Sequence, residues 1–193
     1  MKEVFAYGFR NPHRIIWTAS GKMLVFNIGQ THIESIDLVS AGQDFGWPIR
    51  EGAFEVRHLD DLSKIFPLPA NDSSYHITYP VASYDHGEGI GIAGGYEYVG
   101  SAVPALKGKI IFGDINSGRL FYVNEADLQQ GKFATIKEWR ISMGDSVTSL
   151  TKLAKTKRVE FRLGIDARNE LYLLTKVDGR IYRVVGVNKA VVK

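Results

Sequence analysis

Short runs in which hydrophobic and polar residues alternate recur along the whole chain, and they are rich in β-branched and aromatic side chains. Glycine, asparagine and serine separate the runs, which is typical of β-strands joined by tight turns. The first group of predicted strands lies at 4–7, 13–18, 22–28 and 33–39. A second group is predicted at 91–99, 109–114, 118–124 and 136–143, and a third at 159–166, 170–175 and 180–185.

The three groups share an element in which a turn residue precedes an apolar strand. Gly21 begins this element in the first group, Gly108 in the second and Asn169 in the third. Units of about four strands with long connections between them are how the blades of a β-propeller follow one another. A β-sandwich would show similar strands, and periodicity alone does not separate the two folds. The pattern therefore predicts an all-β fold.

The strand groups divide the chain into units without an obvious linker. We interpret residues 1–193 as a single domain with blade-like units at about 8–52, 80–143 and 145–187. Residues 53–83 interrupt the pattern and are predicted to form a long loop over one face. Loops of this length in a compact domain are often functional, and a plain excursion between blades is the alternative.

Composition agrees with a globular β-protein and limits the classes of partner. Twenty glycines beside six prolines suit short strands and tight turns. The net charge of +3 comes from 24 basic and 21 acidic residues that are interspersed, so nucleic-acid binding is not expected. The absence of cysteine excludes disulfides and thiolate metal sites. No apolar run approaches the roughly 18 residues of a membrane span, and the first residues lack the apolar core of a signal peptide.

Four phrases, in order, carry a resemblance to a known family. They are A-Y-G-F-R-N-P at 6–12, G-Q with E-S-I-D-L-V at 29–39, G-Q-D-F-G-W-P with E-G at 42–52, and G-G-Y-E-Y at 94–98. With this spacing the chain resembles the carboxyl-terminal half of the glucose/sorbosone dehydrogenase family, soluble sugar dehydrogenases that use pyrroloquinoline quinone (PQQ). The resemblance implies a six-bladed β-propeller that binds the quinone, calcium and a sugar at one mouth of its channel. This chain would supply part of that ring, about three four-stranded antiparallel blades, of which the third lacks its outer strand.

The resemblance implies part of a dehydrogenase that oxidises an aldose or alcohol with transfer to the bound quinone. The family's general-base histidine lies in the half that precedes this chain, so none of the five histidines receives that role: His13, His32, His58, His76 and His86. The alternative is a catalytically silent propeller, or a fragment, that binds a carbohydrate or a protein partner. The family resemblance also implies a periplasmic or secreted location.

Two pairs of residues match the family's binding positions. Arg10 and Asn11 match positions that face cofactor and substrate, where a guanidinium supplies paired donors and an amide both donates and accepts. Gly29 and Gln30 match the place where main-chain carbonyls are offered to calcium, an ion that accepts such oxygen ligands. Two features depart from the family, because the residue after this glycine is often proline and Ser35 stands where an acidic residue is common.

Other polar and aromatic residues are given structural roles. The loop 84–89 carries two carboxylates and an imidazole, which would suit a metal or proton-transfer site, but a hydrogen-bonded turn is the preferred interpretation. Asp114 and Asp178 are interpreted as turn residues. Large aromatic residues mostly fill space between blades, so core packing is expected for Trp17, Trp47 and Trp139.

Three blades alone would leave exposed sheet edges at both ends of the array. A second copy could close the ring as a two-fold dimer, with residues 1–7 supplying the missing outer strand of the partner's last blade. Another polypeptide or a longer parent protein could supply the missing blades instead.

Overall fold

The first sheet is a four-stranded antiparallel unit that includes a strand from beyond the long loop. The computed structural model describes residues 3–57 and 59–186. β1 (Pro12–Trp17), β2 (Met23–Asn27) and β3 (Ile33–Val39) follow directly on one another, and the connection after β3 carries the short hairpin of β4 (Arg50–Glu51) and β5 (Phe54–Glu55) and a 3-10 helix (Asp72–Tyr75). β6 (Ala82–Asp85) then pairs with β3, so the order across the sheet is β1-β2-β3-β6.

Two further sheets follow. The second contains β7 (Ile92–Glu97), β8 (Lys109–Asp114), β9 (Leu120–Asn124) and β10 (Lys137–Trp139), with 3-10 helices at Pro104–Leu106 and Glu125–Asp127. A hairpin of β11 (Ile141–Met143) and β12 (Ser146–Thr148) and the helix α1 (Leu150–Ala154) lead to the third sheet, which contains β13 (Phe161–Ile165), β14 (Leu171–Thr175) and β15 (Arg180–Arg183). Ser149 caps α1 by accepting a hydrogen bond from the Lys152 amide. The all-β fold class is confirmed, and β3 and β8 have the predicted bounds.

Three details of the predicted organisation are corrected by strand pairing. Residues 4–7 form no sheet strand, and only Tyr7 makes an isolated bridge, to Asp44. The run predicted as one strand at 136–143 divides at Arg140, because β10 pairs with β9 whereas β11 pairs with β12. β6 lies within the predicted second unit of 80–143 but pairs with β3 of the first sheet, as shown by the Ile33–Asp85 pair.

Two hydrophobic cores lie between successive sheets. One joins residues of the first and second sheets, including Phe26, Ile36 and Phe112, and the other joins the second and third, including Ile111 and Phe161. β8 is buried on both faces, which explains the uninterrupted apolar run Ile110–Phe112. The first strands of the sheets are neighbours, since β1 contacts β7 and β7 contacts β13. The three sheets are therefore stacked like adjacent propeller blades.

The outer faces of the first and third sheets are covered less completely, although Val25, Val39 and Phe45 form a smaller core on the outer face of the first sheet. Trp17 on β1 is 67% exposed, so the expectation that it packs in the core is wrong; its neighbour on that side of the strand, Ile15, is also exposed. Trp139 is buried as expected, and Trp47 is half-buried. At the other end of the array Ile181 on β15 is 66% exposed. No helix within 3–57 or 59–186 is long and apolar enough to cross a membrane.

Candidate functional site

The four residues predicted for cofactor and metal binding lie at the same end of the strands of the first sheet. Arg10 and Asn11 immediately precede β1, while Gly29 and Gln30 lie in the turn between β2 and β3. Register brings the two segments together, because Pro12 at the start of β1 pairs with Asn27 at the end of β2. We call these four residues the candidate site.

Arg10 is held at one end of its guanidinium. Its Nε donates a hydrogen bond of 3.0 Å to Oε1 of Gln30, which ties the two predicted pairs together. Its two terminal nitrogens contact no hydrogen-bond acceptor or carboxylate among residues 3–57 and 59–186. Arg10 thus forms no ion pair with a carboxylate of the described residues. Two charged donors of Arg10 are free to meet a ligand.

Asn11 is fixed through its main chain. Its amide nitrogen donates to Oδ1 of Asn27 at 2.9 Å, and its carbonyl accepts from the Ile28 amide at 2.9 Å. The side-chain amide of Asn11 is exposed and has no hydrogen-bond partner in the part of the chain that the structure describes. The backbone is thus rigidly placed beside Arg10 while the side chain stays free to donate and accept.

The turn that carries Gly29 and Gln30 is closed around a carboxylate. Glu51 Oε1 accepts hydrogen bonds from four successive amides, those of residues 30–33, at 3.0, 3.0, 2.7 and 2.9 Å. Gly29 is required for this closure, because a Cβ there would lie 1.9 Å from the Ile33 carbonyl oxygen and 2.7 Å from Glu51 Oε1. Sequence reasoning missed this role of Glu51, since its partners lie about 20 residues earlier and only its place before Gly52 marked it.

The donor set of this turn fits a hard cation. With the amides directed at Glu51, the carbonyls of Gly29 and Gln30 accept no hydrogen bond from any described residue. No group of three acidic or histidine side chains able to hold a metal occurs within 3–57 and 59–186. Two unpaired main-chain oxygens therefore suit calcium, with further oxygen ligands coming from outside this set.

Ser35 lines a small cavity together with Arg10 and Gly29 of the candidate site and with Glu51. Its hydroxyl donates to Asp37 inside the sheet at 3.3 Å, and both residues are buried. The serine that replaces a common acidic residue of the family thus serves a buried carboxyl group and adds no charge at the turn.

Comparison with known proteins identifies the chain. A family model described as glucose/sorbosone dehydrogenase matches residues 1–183. The chain belongs to the glucose/sorbosone dehydrogenase family. Among curated proteins, HIPL1 of Arabidopsis thaliana is 27% identical over 198 residues, covering 95% of this chain and 27% of that protein. HIPL2 of the same plant is 26% identical over 140 residues, covering 68% of this chain and 19% of its own length. The chain spans about a fifth to a quarter of the length of these relatives.

Solved structures show the fold that this family member adopts. A glucose dehydrogenase matches with a TM-score of 0.68 at 19% identity, covering 97% of this chain and 48% of that one. The apo-form of the soluble aldose sugar dehydrogenase from Escherichia coli has a TM-score of 0.66 at 17% identity and coverages of 95% and 47%. The PQQ-bound aldose sugar dehydrogenase from Streptomyces coelicolor has a TM-score of 0.53 at 19% identity and coverages of 96% and 42%. The chain is thus a partial β-propeller, about half the length of these structures.

Beside the candidate site, the loop 84–89 of this family member contains an imidazole–carboxylate pair. The Asp85 side chain accepts from the Gly87 amide at 2.8 Å, which is the turn expected here. His86 Nε2 lies 2.8 Å from Oε1 of Glu34, and Oε2 of Glu34 accepts from the Ile92 amide. Burial raises the pKa of Glu34, although the Ile92 and His86 hydrogen bonds act in the opposite direction. The pair links β3 to the start of β7, which stabilises the contact between the first two sheets.

The remaining polar residues singled out in the sequence occupy turns or strands. Asp114 accepts from the amides of Asn116 and Ser117, and Asp178 accepts from the Thr175 hydroxyl, as expected for turn residues. On β1, burial and the charges of Arg162 and Arg14 lower the pKa of His13. His58 lies outside the described residues. No histidine is assigned as a general base.

Proposed function

We propose that this chain forms one wall of a PQQ and calcium site in a family member that oxidises an aldose or alcohol. The observation that carries the proposal is the Arg10–Gln30 hydrogen bond, which joins the unpaired guanidinium donors to the turn with two unpaired carbonyls. The PQQ-bound neighbour supports the cofactor class. An extracytoplasmic location, which the family resemblance implies, is part of the proposal.

Each residue of the candidate site has a distinct task. Arg10 supplies paired, permanently charged donors to a carboxylate or quinone oxygen. Asn11 donates to or accepts from the substrate or cofactor beside it, and the Gly29 and Gln30 carbonyls hold calcium. The bound quinone would supply the electron-accepting chemistry. The family resemblance places the general base in the half that precedes this chain, so the proposal assigns removal of the substrate's hydroxyl proton to the missing blades.

The test is calcium-dependent binding of PQQ to the complete ring, in which this chain is joined to its missing blades, followed by the cofactor's absorbance. Replacement of Arg10 by leucine should weaken binding about tenfold or more, because a charged hydrogen bond contributes roughly 1.5–3 kcal/mol. Arg158→Leu, which removes an exposed arginine far from the candidate site in sequence, is the matched control. Binding that is equal in the wild type and the Arg10 variant would overturn the proposal, as would no binding at high micromolar PQQ.

A second candidate function is a silent propeller that binds a carbohydrate or a protein. Ser35 in place of an acidic residue, engaged with Asp37, favours this alternative. Dye-coupled oxidation of aldoses distinguishes the two functions, because a silent propeller would bind sugar without turnover. The assay requires the complete ring, since the chain covers about half of the solved relatives.

We infer that the missing blades come from a longer parent protein. The coverage of the solved relatives supports this source. An exchange of residues 1–7 with a second copy is less favourable, because the Tyr7 amide donates to Gln43 and its carbonyl accepts from Phe45 within one chain. Residues 1 and 2 of that segment lie outside the described residues.

A further inference from the structure

The side chain of Glu51 accepts more main-chain hydrogen bonds than an ordinary turn requires. One oxygen, Oε1, accepts from the amides of residues 30–33, and the residue is only 3% exposed. Hydrogen bonds from amides to an ionised carboxylate are roughly twice as strong as neutral ones. Four successive amides facing one oxygen leave the turn little freedom to rotate its peptide planes. The orientation of the peptides between Gly29 and Ile33 therefore depends on this one side chain.

Glu51 is itself held from the opposite side. Gly52, with φ of +55°, closes the β4–β5 hairpin, and a Cβ there would lie 2.5 Å from Ile33 Cγ2. The preceding residue, Arg50, is 3% exposed, and its Nε and Nη2 donate to Asp72 Oδ1 at 3.0 and 2.7 Å. Tyr79 donates to the other oxygen of Asp72. The long connection between β3 and β6 thus supports the strand that presents Glu51.

The turn transmits this support to Arg10. Gln30 offers its amide nitrogen to Glu51 and its side-chain oxygen to Arg10 Nε. A rotation of the peptide before Gln30 would therefore displace both the Gly29 carbonyl and the partner of Arg10. Contacts run without interruption from Asp72 through Arg50 and Glu51 to the candidate site.

We propose that Glu51 is a positioning residue whose carboxylate orders residues 29–33, so that the Gly29 and Gln30 carbonyls stay free for a divalent cation and Gln30 stays on Arg10. The inference rests on the proposed function in so far as it names the cation. In this role Glu51 acts through the turn with Oε1, while its second oxygen, Oε2, is buried and has no hydrogen-bond partner among the described residues.

The experiment uses the complete ring and compares Glu51→Gln with Glu55→Gln, a control in the same hairpin whose side chain lies beside Arg57. Hydrogen exchange of the amides of residues 30–33 should accelerate about tenfold or more in Glu51→Gln and stay unchanged in the control. The calcium dissociation constant, measured by calorimetry, should rise about 10- to 100-fold, as is usual when a residue that orients metal ligands is changed. Glu51→Asp keeps the charge on a shorter side chain, so its amide exchange rates and calcium dissociation constant should lie between those of Glu51→Gln and the control. It replaces Glu51→Gln if that variant does not fold.

The outcomes separate the inference from the proposed function. Unchanged exchange of the four amides in Glu51→Gln overturns the positioning role, whatever the calcium result. Faster exchange with unchanged calcium affinity also overturns it, because the order of the turn would then not matter to the cation. If the wild-type complete ring binds no calcium, the proposed function fails, and the exchange rates alone decide whether Glu51 orders the turn.

Discussion

Asp37 is a carboxyl group buried in the first sheet with a single hydrogen bond from the described residues, donated by Ser35. It is 1% exposed, and burial raises its pKa from 3.8 to about 7. The folded state therefore retains a proton that the unfolded state releases between about pH 4 and pH 7. Because the unfolded state then binds fewer protons, stability falls as pH rises through this window and levels off above it.

Replacement of Asp37 by asparagine should remove this pH dependence, since an amide keeps the shape and cannot ionise. Each unit of pKa shift corresponds to about 1.4 kcal/mol, so the variant should gain a few kcal/mol over the wild type at pH 8 relative to pH 4. Urea unfolding at both pH values measures the change. The pH dependence of the variant is compared with that of the wild type, because burial raises the pKa of Glu34 as well and Glu34 is present in both proteins. An equal pH dependence in both proteins would show that Asp37 ionises normally.

At the scale of elements, β7 shows how the first two sheets come close. A Cβ on Gly94 would lie 2.4 Å from Arg14 Cβ and 2.8 Å from Phe26 Cβ, and the β7–β8 register shifts between Ala93 and Tyr96. The register shift, typical of a β-bulge, bends the strand where the glycine allows this contact. The G-G-Y phrase thus serves the packing of two blades.

Gly94→Ala should destabilise the chain by about 1–3 kcal/mol, as expected for overpacking of a tight contact. Gly164→Ala in β13 is the matched control, because its Cβ would meet only Leu174 Cδ1 at an ordinary 3.5 Å. Denaturant unfolding of both variants is the measurement. Equal losses in the two variants would mean that the cost comes from strand geometry and not from the contact between sheets.

The connection between β3 and β6 is anchored by the ion pair of Arg50 and Asp72. Asp72→Asn should cost about 3 kcal/mol, because it leaves a buried guanidinium without its counter-charge. Asp61→Asn, which breaks an exposed pair with Lys64, should cost much less, because solvent screens that pair. Thermal or denaturant unfolding tests both variants. A small loss in Asp72→Asn would show that the Tyr75 ring, over which Arg50 lies, suffices to hold it.

At the scale of the whole molecule, both ends of the three-sheet array expose apolar side chains. Trp17 lies at one end, and Ile181 lies on the outer strand of the three-stranded third sheet at the other. A cavity of about 460 Å³ lies behind the second end, between β10–β11 and β15, and is lined by Leu173 and Tyr182 on the face opposite Ile181. The two faces differ, so contacts between copies need not close a ring.

The isolated chain should therefore self-associate at tens of micromolar, with a mass above 21.5 kDa in light scattering. Trp17→Lys combined with Ile181→Lys should restore the monomer, whereas Leu59→Lys, at an exposed position in the connection between β5 and β6, should not. A monodisperse monomer of the wild-type chain at about 100 μM would contradict the idea that these faces require partners.

The sequence alone was sufficient for the all-β class, the bounds of β3 and β8, and the placement of Arg10, Asn11, Gly29 and Gln30 in one family pattern. Alternation and turn residues are local signals, so strands and turns follow from a few neighbouring residues. The site roles of these four residues remain predictions, but the register of β1 and β2 brings them to the same end of the strands.

Only the tertiary structure decided which sheet takes β6, that Trp17 faces outward, and that Glu51 closes the turn at residues 30–33. These features depend on partners far apart in the chain, such as the Ile33–Asp85 pair and the hydrogen bonds of Glu51. The residue pattern of a strand does not identify the strand with which it pairs, and a carboxylate in the sequence does not identify its hydrogen-bond donors. Those choices depend on how the folded sheets bury apolar surface and satisfy polar groups together.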